Sequence, residues 1–421
     1  MQETVKIEKL VHGGQGLATL ADGRKVFVWN ALPGETVGVR IIKSKKSYAE
    51  AIAEEIIEPS PQRVEPSESN YLATSPWQMM TFEAENQYKR EIVEELFAHE
   101  KVLLPDITDT VHDERLWNYR SKMEYSFWGD DDGLHLALHQ RGSHGKQIVQ
   151  GSKLALPAID AAAQAICTQL NGLNARAGDL KTIIVRCDQQ GNAVGALFTK
   201  LENFNKLELP KELKGLRVYY SNPKSPASLP TRLQYELGDC LLRDELLGKS
   251  FVYDVDSFFQ VNLSVFENAL TTIKNYLEDG ALTDMYAGVG SIGLSVASNQ
   301  VTLVEIDPAC VRMASQNAND NALESGLSAT VVEAATEKAL EYITSDNPII
   351  FDPPRAGLHA SIIEAVLQAL PPKVIYLSCN PATHARDLAQ LQQTYDLQHF
   401  EIFNFFPRTP HIETLAILVK K

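Results

Sequence analysis

"LTDMYAGVGSIGLSVAS", residues 282–298, reads as a short apolar strand running into a glycine loop and then a helix. Gly288, Gly290 and Gly293 stand in G-x-G-x-x-G order, where missing side chains let backbone N–H groups approach a ligand at a helix start. The next apolar run, "VTLVEID", ends on Glu305, where a carboxylate can accept hydrogen bonds from a ribose diol. Asp307 followed by Pro308 reads as the cap and first turn of the next helix. A nicotinamide cofactor and S-adenosylmethionine both satisfy this pattern. Other motifs have to choose between them.

From about residue 249 strands and helices alternate, which predicts a parallel sheet flanked by helices. Within it "PIIFDPPRAGLH", 348–359, puts Asp352 and two prolines straight after an apolar strand. The prolines stop the strand and stiffen the loop, holding Asp352 at the carboxyl edge of the sheet, where open α/β folds bind ligands. One strand later "KVIYLSCNPATHARDL", 373–388, carries Cys379 to the same edge. A helix starting at Ala382 or Thr383 is expected to favour the thiolate through its positive end. Near the C-terminus "FFPRTPHIETLAILV" places Glu413 at the mouth of a final apolar strand, where partial desolvation would make it a general base.

A thiol, a carboxylate base and a pocket suited to a methyl donor fit one reaction well. Carbon 5 of uracil is a poor nucleophile, but thiolate addition at carbon 6 gives an enolate that can take an electrophilic methyl group. Loss of the carbon 5 proton then expels the thiol. A nicotinamide oxidoreductase would leave Cys379, Asp352 and Glu413 idle. Amino-group methyltransferases also use an Asp/Asn-Pro-Pro loop but follow it with an aromatic residue, whereas Arg355 follows here.

Upstream, residues 1–60 alternate short β-rich runs with glycine turns, which predicts a small antiparallel barrel. Arg40, Lys43, Lys45 and Lys46 either bind phosphate or form a solvated strand edge. "EPSPQRVEPSES" marks a linker, and "FEAENQYKREIVEELFAHE" has helical spacing with Phe82, Tyr88, Ile92, Val93, Leu96 and Phe97 on one face. Residues 106–248 mix strands and helices. A hairpin is expected in "SKMEYSFWGDDDGLHLALHQR", with Arg120, Lys122, Arg141, His144 and Lys146 around it as a basic patch or as scattered surface charge.

The 421 residues, 44% of them hydrophobic, suffice for two or three globular domains. Five dispersed cysteines without a C-x-x-C pair give no metal spacing and suit a reducing compartment. With neither a signal peptide nor a long apolar span in view, the chain reads as cytoplasmic, with no membrane role and no obligate protein partner. The net charge of -15 opposes indiscriminate nucleic-acid binding, yet residues 1–60 balance eight basic against eight acidic side chains.

"DMYAGVGSIGL", "VEIDPACVRMASQNA", "FDPPRAGL", "LSCNPATHARDL" and "PRTPHIET", in that order, resemble the motifs of the RNA 5-methyluridine methyltransferases. The resemblance implies an α/β fold. It comprises a Rossmann-like class I methyltransferase domain (81–105 and 249–421), an N-terminal OB-like TRAM barrel that binds RNA (1–60) and an α+β central RNA-recognition domain (61–80 and 106–248). It implies Cys379 as nucleophile, Glu413 as base, and cofactor contacts from Gln260, Tyr286, Gly288, Gly290, Ser291, Glu305 and Asp352. Asp352 would also meet the substrate, as would Arg120 and Lys122. The expected cofactor is S-adenosyl-L-methionine, and the expected substrate a uridine in a loop of ribosomal or transfer RNA, ribosomal RNA being favoured.

Many ribosomal-RNA members bind an iron-sulfur cluster through four cysteines. Glu68, Thr74, Trp77 and Ser152 occupy those places here, so no cluster is expected and Trp77 should fill the space by packing. A noncatalytic RNA-binding or RNA-folding protein on the same scaffold is the second reading.

Overall fold

The computed structural model describes residues 2–105, 107, 109–141, 145–226 and 228–421, with only the backbone of Gln2, Glu324 and Ser325. His144, one member of the expected basic patch, lies outside the described residues.

The first sixty residues form one six-stranded sheet around a core of Val5, Ile7, Val26, Val28, Val37, Val39, Ala49 and Ala51. Its order is Gln2–Lys6, Thr36–Ser44, Tyr48–Glu58, Lys25–Trp29, Gly16–Thr19, Lys9–Leu10. The two end strands are consecutive in the chain. The sheet is not wholly antiparallel as expected, because Lys25–Trp29 runs parallel to Tyr48–Glu58. Thr36–Ser44 reverses the chain and the next turn reverses it again, so the sixth strand returns in the direction of the fourth. Of the basic run, Arg40 pairs with Glu54 and Lys43 with Glu50, while Lys45 and Lys46 remain exposed.

The middle of the chain builds a seven-stranded sheet. A hairpin near one edge, Lys122–Asp130 with Gly133–His139, turns at Asp131 and Asp132, and Gly133 supplies the positive φ. Helix Pro157–Gly172 covers one face with Ile159, Ala163, Ile166 and Leu170.

The largest sheet has eight strands in the order Ser328–Glu333, Gln300–Glu305, Ala281–Asp284, Ile349–Phe351, Lys373–Ser378, Glu413–Lys420, Tyr395–Phe403, Thr110–Val111. The first five are mutually parallel, and Glu413–Lys420 enters antiparallel between two neighbours. Buried on both faces, Val374, Ile375, Tyr376 and Leu377 form a continuous apolar run, as a central parallel strand requires.

Helix Phe82–His99 packs on helix Pro381–Leu391. Ile92, Val93 and Phe97 face inward as the spacing predicts, but Phe82, Tyr88 and Leu96 are only partly covered, and Glu85 and Lys89 are fully buried in their place. These two pair at 3.0 Å, and Lys89 Nζ donates to Asn404 Oδ1 at 2.6 Å. Spacing alone missed this because a buried ion pair needs a distant partner, here the loop that leads to Glu413. No helix among the described residues is long and apolar enough to cross a membrane.

Candidate active site

Cys379, Asp352, Tyr286 and Glu305 all lie at the carboxyl ends of neighbouring parallel strands. The register sets them there: Asp284 pairs with Ile350, Phe351 with Tyr376, and Ser378 with Thr414. Carrying the last pairing one step further brings Glu413 opposite Cys379.

The turn after Cys379 is locked from its own residues. Asn380 caps the following helix, accepting from Ala382 N, and Pro381 rather than Ala382 or Thr383 is the first helical residue. Pro suits that place because its missing N–H is not needed. Asn380 Nδ2 donates to Arg355 O at 2.8 Å, joining this turn to the Asp352 loop.

The half-buried Cys379 thiol is pushed up to about 12, first by burial and then by the nearby Glu413 and Asp352 carboxyls. This corrects the expectation that the helix start favours thiolate: desolvation and two like charges outweigh one helix end. Glu413, buried, is raised well above the usual carboxylate range by burial and by Asp352, with Arg355 opposing. Asp352 is pushed up to about 7 by burial and by Asp284. Each ionised carboxylate here opposes ionisation of the next, so the set holds its protons more tightly than isolated carboxylates do.

Asp284 belongs to this set and was missed from sequence. It is fully buried and pushed up to about 7, mainly by burial. Its Oδ2 accepts Gly293 N at 2.9 Å, and its Oδ1 has no partner. The available signal was a carboxylate closing an apolar strand just before a glycine loop.

That loop uses its glycines differently. A Cβ on Gly290 would meet Leu294 at 2.7 Å, and one on Gly293 would meet Leu303 at 2.7 Å, so both glycines serve close packing of helix on strand. Gly288, at φ 56, has only Phe258 O near such a Cβ, at 4.0 Å, which leaves an open cradle. Gly288 N donates to Glu305 Oε2 at 2.8 Å, while Glu305 Oε1 takes Ile306 N and Asp307 N. Three backbone donors thus hold the Glu305 carboxylate in one orientation. Asp307 caps its helix as expected. Ser291 opens the short helix after the loop, and Tyr286 is half-buried beside Phe351.

Gln260 is buried on the loop that meets Gly288. The buried Arg186 guanidinium holds that loop, donating to Ser257 O and to Phe259 O at 2.6 Å. The expected basic patch divides. Arg120 is half-buried and donates to Lys122 O, and Lys122 is lowered to about 8 by burial beside Arg186. Arg141 stacks on Trp29 of the N-terminal sheet, while Lys146 turns inward to Phe127 O.

At the four positions without cysteine, hydrogen bonds and packing join the segments. Glu68 accepts from Lys153 N and from Gln78 Nε2, and Ser152 N donates to Asp160. Thr74 meets Ser75, and Trp77 is fully buried. Among the described residues no cluster of His, Cys, Asp and Glu could hold a metal ion.

The fold and edge chemistry define a methyltransferase-type α/β protein with an added β-rich N-terminal unit, and comparison with known proteins narrows this. Residues 239–421 match the tRNA (Uracil-5-)-methyltransferase family, and residues 2–53 match the TRAM domain. The chain is 28% identical to an uncharacterized RNA methyltransferase of Fusobacterium nucleatum, covering 99% of this chain and 95% of that one. It is 26% identical to one of Thermotoga maritima, covering 100% and 99%. The fold matches the crystal structure of Pyrococcus abyssi tRNA (uracil-54, C5)-methyltransferase in complex with S-adenosyl-L-homocysteine, with a TM-score of 0.77, 21% identity and coverage of 100% and 99%. Residues 239–421 thus carry the sequence features of the tRNA (Uracil-5-)-methyltransferase family and residues 2–53 those of a TRAM domain. This match to a methyltransferase family sets aside the nicotinamide oxidoreductase.

Proposed function

We propose that the protein methylates carbon 5 of a uridine in structured RNA, giving 5-methyluridine through a covalent bond between Cys379 and carbon 6. The observation that carries this reading is the strand register that sets Glu413 across from Cys379, beside the glycine loop. The open cradle at Gly288, the fixed Glu305 carboxylate and the half-buried Asp352 fit S-adenosylmethionine, with Gln260, Tyr286, Gly290 and Ser291 completing its surroundings. Bound there, it supplies an electrophilic methyl group and a positive charge.

In this reading Cys379 gives up its proton to the neighbouring carboxylates and bonds to carbon 6, moving the ring's double-bond electrons onto the oxygen at carbon 4. After methylation Glu413 takes the proton from carbon 5, and the carbon 6–sulfur bond breaks to return the thiolate. A raised Glu413 makes a stronger base than an ordinary carboxylate. Arg355 opposes the rise in both Cys379 and Glu413, which eases formation of the anions. Arg120 and Lys122 serve the RNA side. The uridine must leave its stack to reach Cys379, so a loop or single strand is the substrate.

The test is incubation with S-adenosylmethionine and unmodified RNA, separated into ribosomal and transfer fractions, followed by nucleoside mass spectrometry. 5-Methyluridine made by the parent protein and absent with Cys379→Ala supports the reading. Methylation at another atom, or none while S-adenosylmethionine still binds, overturns it. The fraction that gains the label decides between ribosomal RNA, favoured from the sequence resemblance, and transfer RNA.

A further inference from the structure

The N-terminal domain reaches the rim of the active site through one turn, "HGGQG", residues 12–16. Gly13 and Gly14 sit at φ 94 and 95, a conformation that favours glycine. Gly14 lies so close to the catalytic domain that an added Cβ would stand 2.4 Å from Pro410 Cβ, and its carbonyl accepts Trp77 Nε1 at 3.1 Å. The turn is therefore seated on the segment that leads to Glu413, and it carries the exposed His12 over the catalytic edge. There His12 lies close to the side chain of Asn380, the residue after Cys379, and in the field of Arg355.

Arg355 is exposed. Its guanidinium meets His411 Nδ1 at 3.2 Å and forms no salt bridge among the described residues. Arg120 and Arg141 add positive field at His411, and burial keeps that imidazole uncharged. The result is a cationic rim over a cleft floored by Asp284, Asp352 and Glu413.

We propose that His12 and Arg355 together bind the phosphodiester next to the target uridine, so that the TRAM domain forms one wall of the active-site mouth. The assignment rests on the uridine reading above and adds to it a residue from outside the catalytic domain. A nucleotide turned out of its stack brings its flanking phosphate to the rim of the pocket. An open guanidinium fork with an imidazole N–H beside it matches the two non-bridging oxygens of that phosphate. Contacts of this kind set register on the RNA and carry no sequence preference themselves.

The experiment measures 5-methyluridine formation against the concentration of unmodified total RNA for the parent, His12→Ala and His12→Gln. His12→Ala should raise KM for RNA about tenfold and leave kcat within about twofold, the loss expected for one hydrogen bond to a charged group. His12→Gln, which keeps an N–H donor, should recover most of that loss. Thermal unfolding and calorimetric binding of S-adenosylmethionine should match the parent's, because the side chain is exposed and away from the glycine loop. A KM for His12→Ala within about twofold of the parent's, or a fall in kcat at unchanged KM, overturns the phosphate assignment and leaves the uridine reading standing. Absence of 5-methyluridine with the parent itself overturns both.

Discussion

Both carboxylate oxygens of Glu85 accept the backbone N–H of Arg408, at 3.0 and 2.9 Å, although the two residues are 323 positions apart in the chain. Arg408 holds a positive φ of 66, and its side chain reaches Met80 O at 2.8 Å. Helix Phe82–His99 thereby keys the segment that delivers His411 and Glu413. Lys89→Met removes the closest cation to a buried carboxylate and should destabilise the protein by about 3 kcal/mol. Pairing it with Glu85→Gln should restore most of the loss, since the uncompensated charge is then gone. Thermal unfolding of the single and double variants checks this. A single variant as stable as the parent would mean that Arg408 alone neutralises Glu85.

Glu413→Gln separates bond formation from bond release. Without a base to take the carbon 5 proton, the Cys379 adduct should persist as a protein–RNA species resistant to denaturing electrophoresis, with turnover down at least about a hundredfold. Cys379→Ala should form no such species. Because the thiol is pushed up to about 12 before substrate binds, the rate of adduct formation should climb with pH between 6 and 9 instead of levelling off. A rate flat across that range would place another step in control.

The catalytic third was legible because its information is local. Each ligand-facing residue follows an apolar strand and precedes a turn, so Asp352, Cys379 and Glu305 could be put at one sheet edge from text alone. What escaped depended on distant partners. Buried Glu85 and Lys89 look like surface residues until Asn404 and Arg408 meet them. The thiol's shift comes first from burial and then from carboxyls on two other strands, one starting at Glu413 and one ending beside Asp352, whose summed effect no local motif carries. The parallel pairing in the N-terminal sheet likewise depends on where two turns return the chain, which alternation of residues does not encode.

Trp77, which the sequence resemblance puts at the place of a cluster ligand, is fully buried in a core that also holds Leu10, Leu32 and Ile412. Its indole donates to Gly14 O, and Lys89 Nζ lies 5.8 Å from the ring. Trp77→Ala should cost about 3 to 5 kcal/mol through the cavity it leaves. Trp77→Phe should keep most of the packing and lose about 1 kcal/mol with the hydrogen bond. Unfolding curves of the two variants test this; equal losses would mean that the Gly14 bond, and not ring volume, holds the domains together.

Asp284 gives the clearest stability signature. Burial raises its carboxyl from the ordinary 3.8 to about 7 in the folded chain, so the native state holds that proton more tightly than the unfolded one. Stability from this group is therefore complete below about pH 4 and is lost as pH rises through 7. Asp284→Asn keeps an oxygen for Gly293 N and never ionises, so its stability relative to the parent should increase across that window. The gain at pH 8 should be at most about 4 kcal/mol, the free-energy equivalent of the whole shift. Denaturant titrations of both proteins at pH 5 and pH 8 measure it. An identical difference at the two values would show that Asp284 stays ionised in the folded protein, and the account of tightly held protons at the catalytic edge would fall with it.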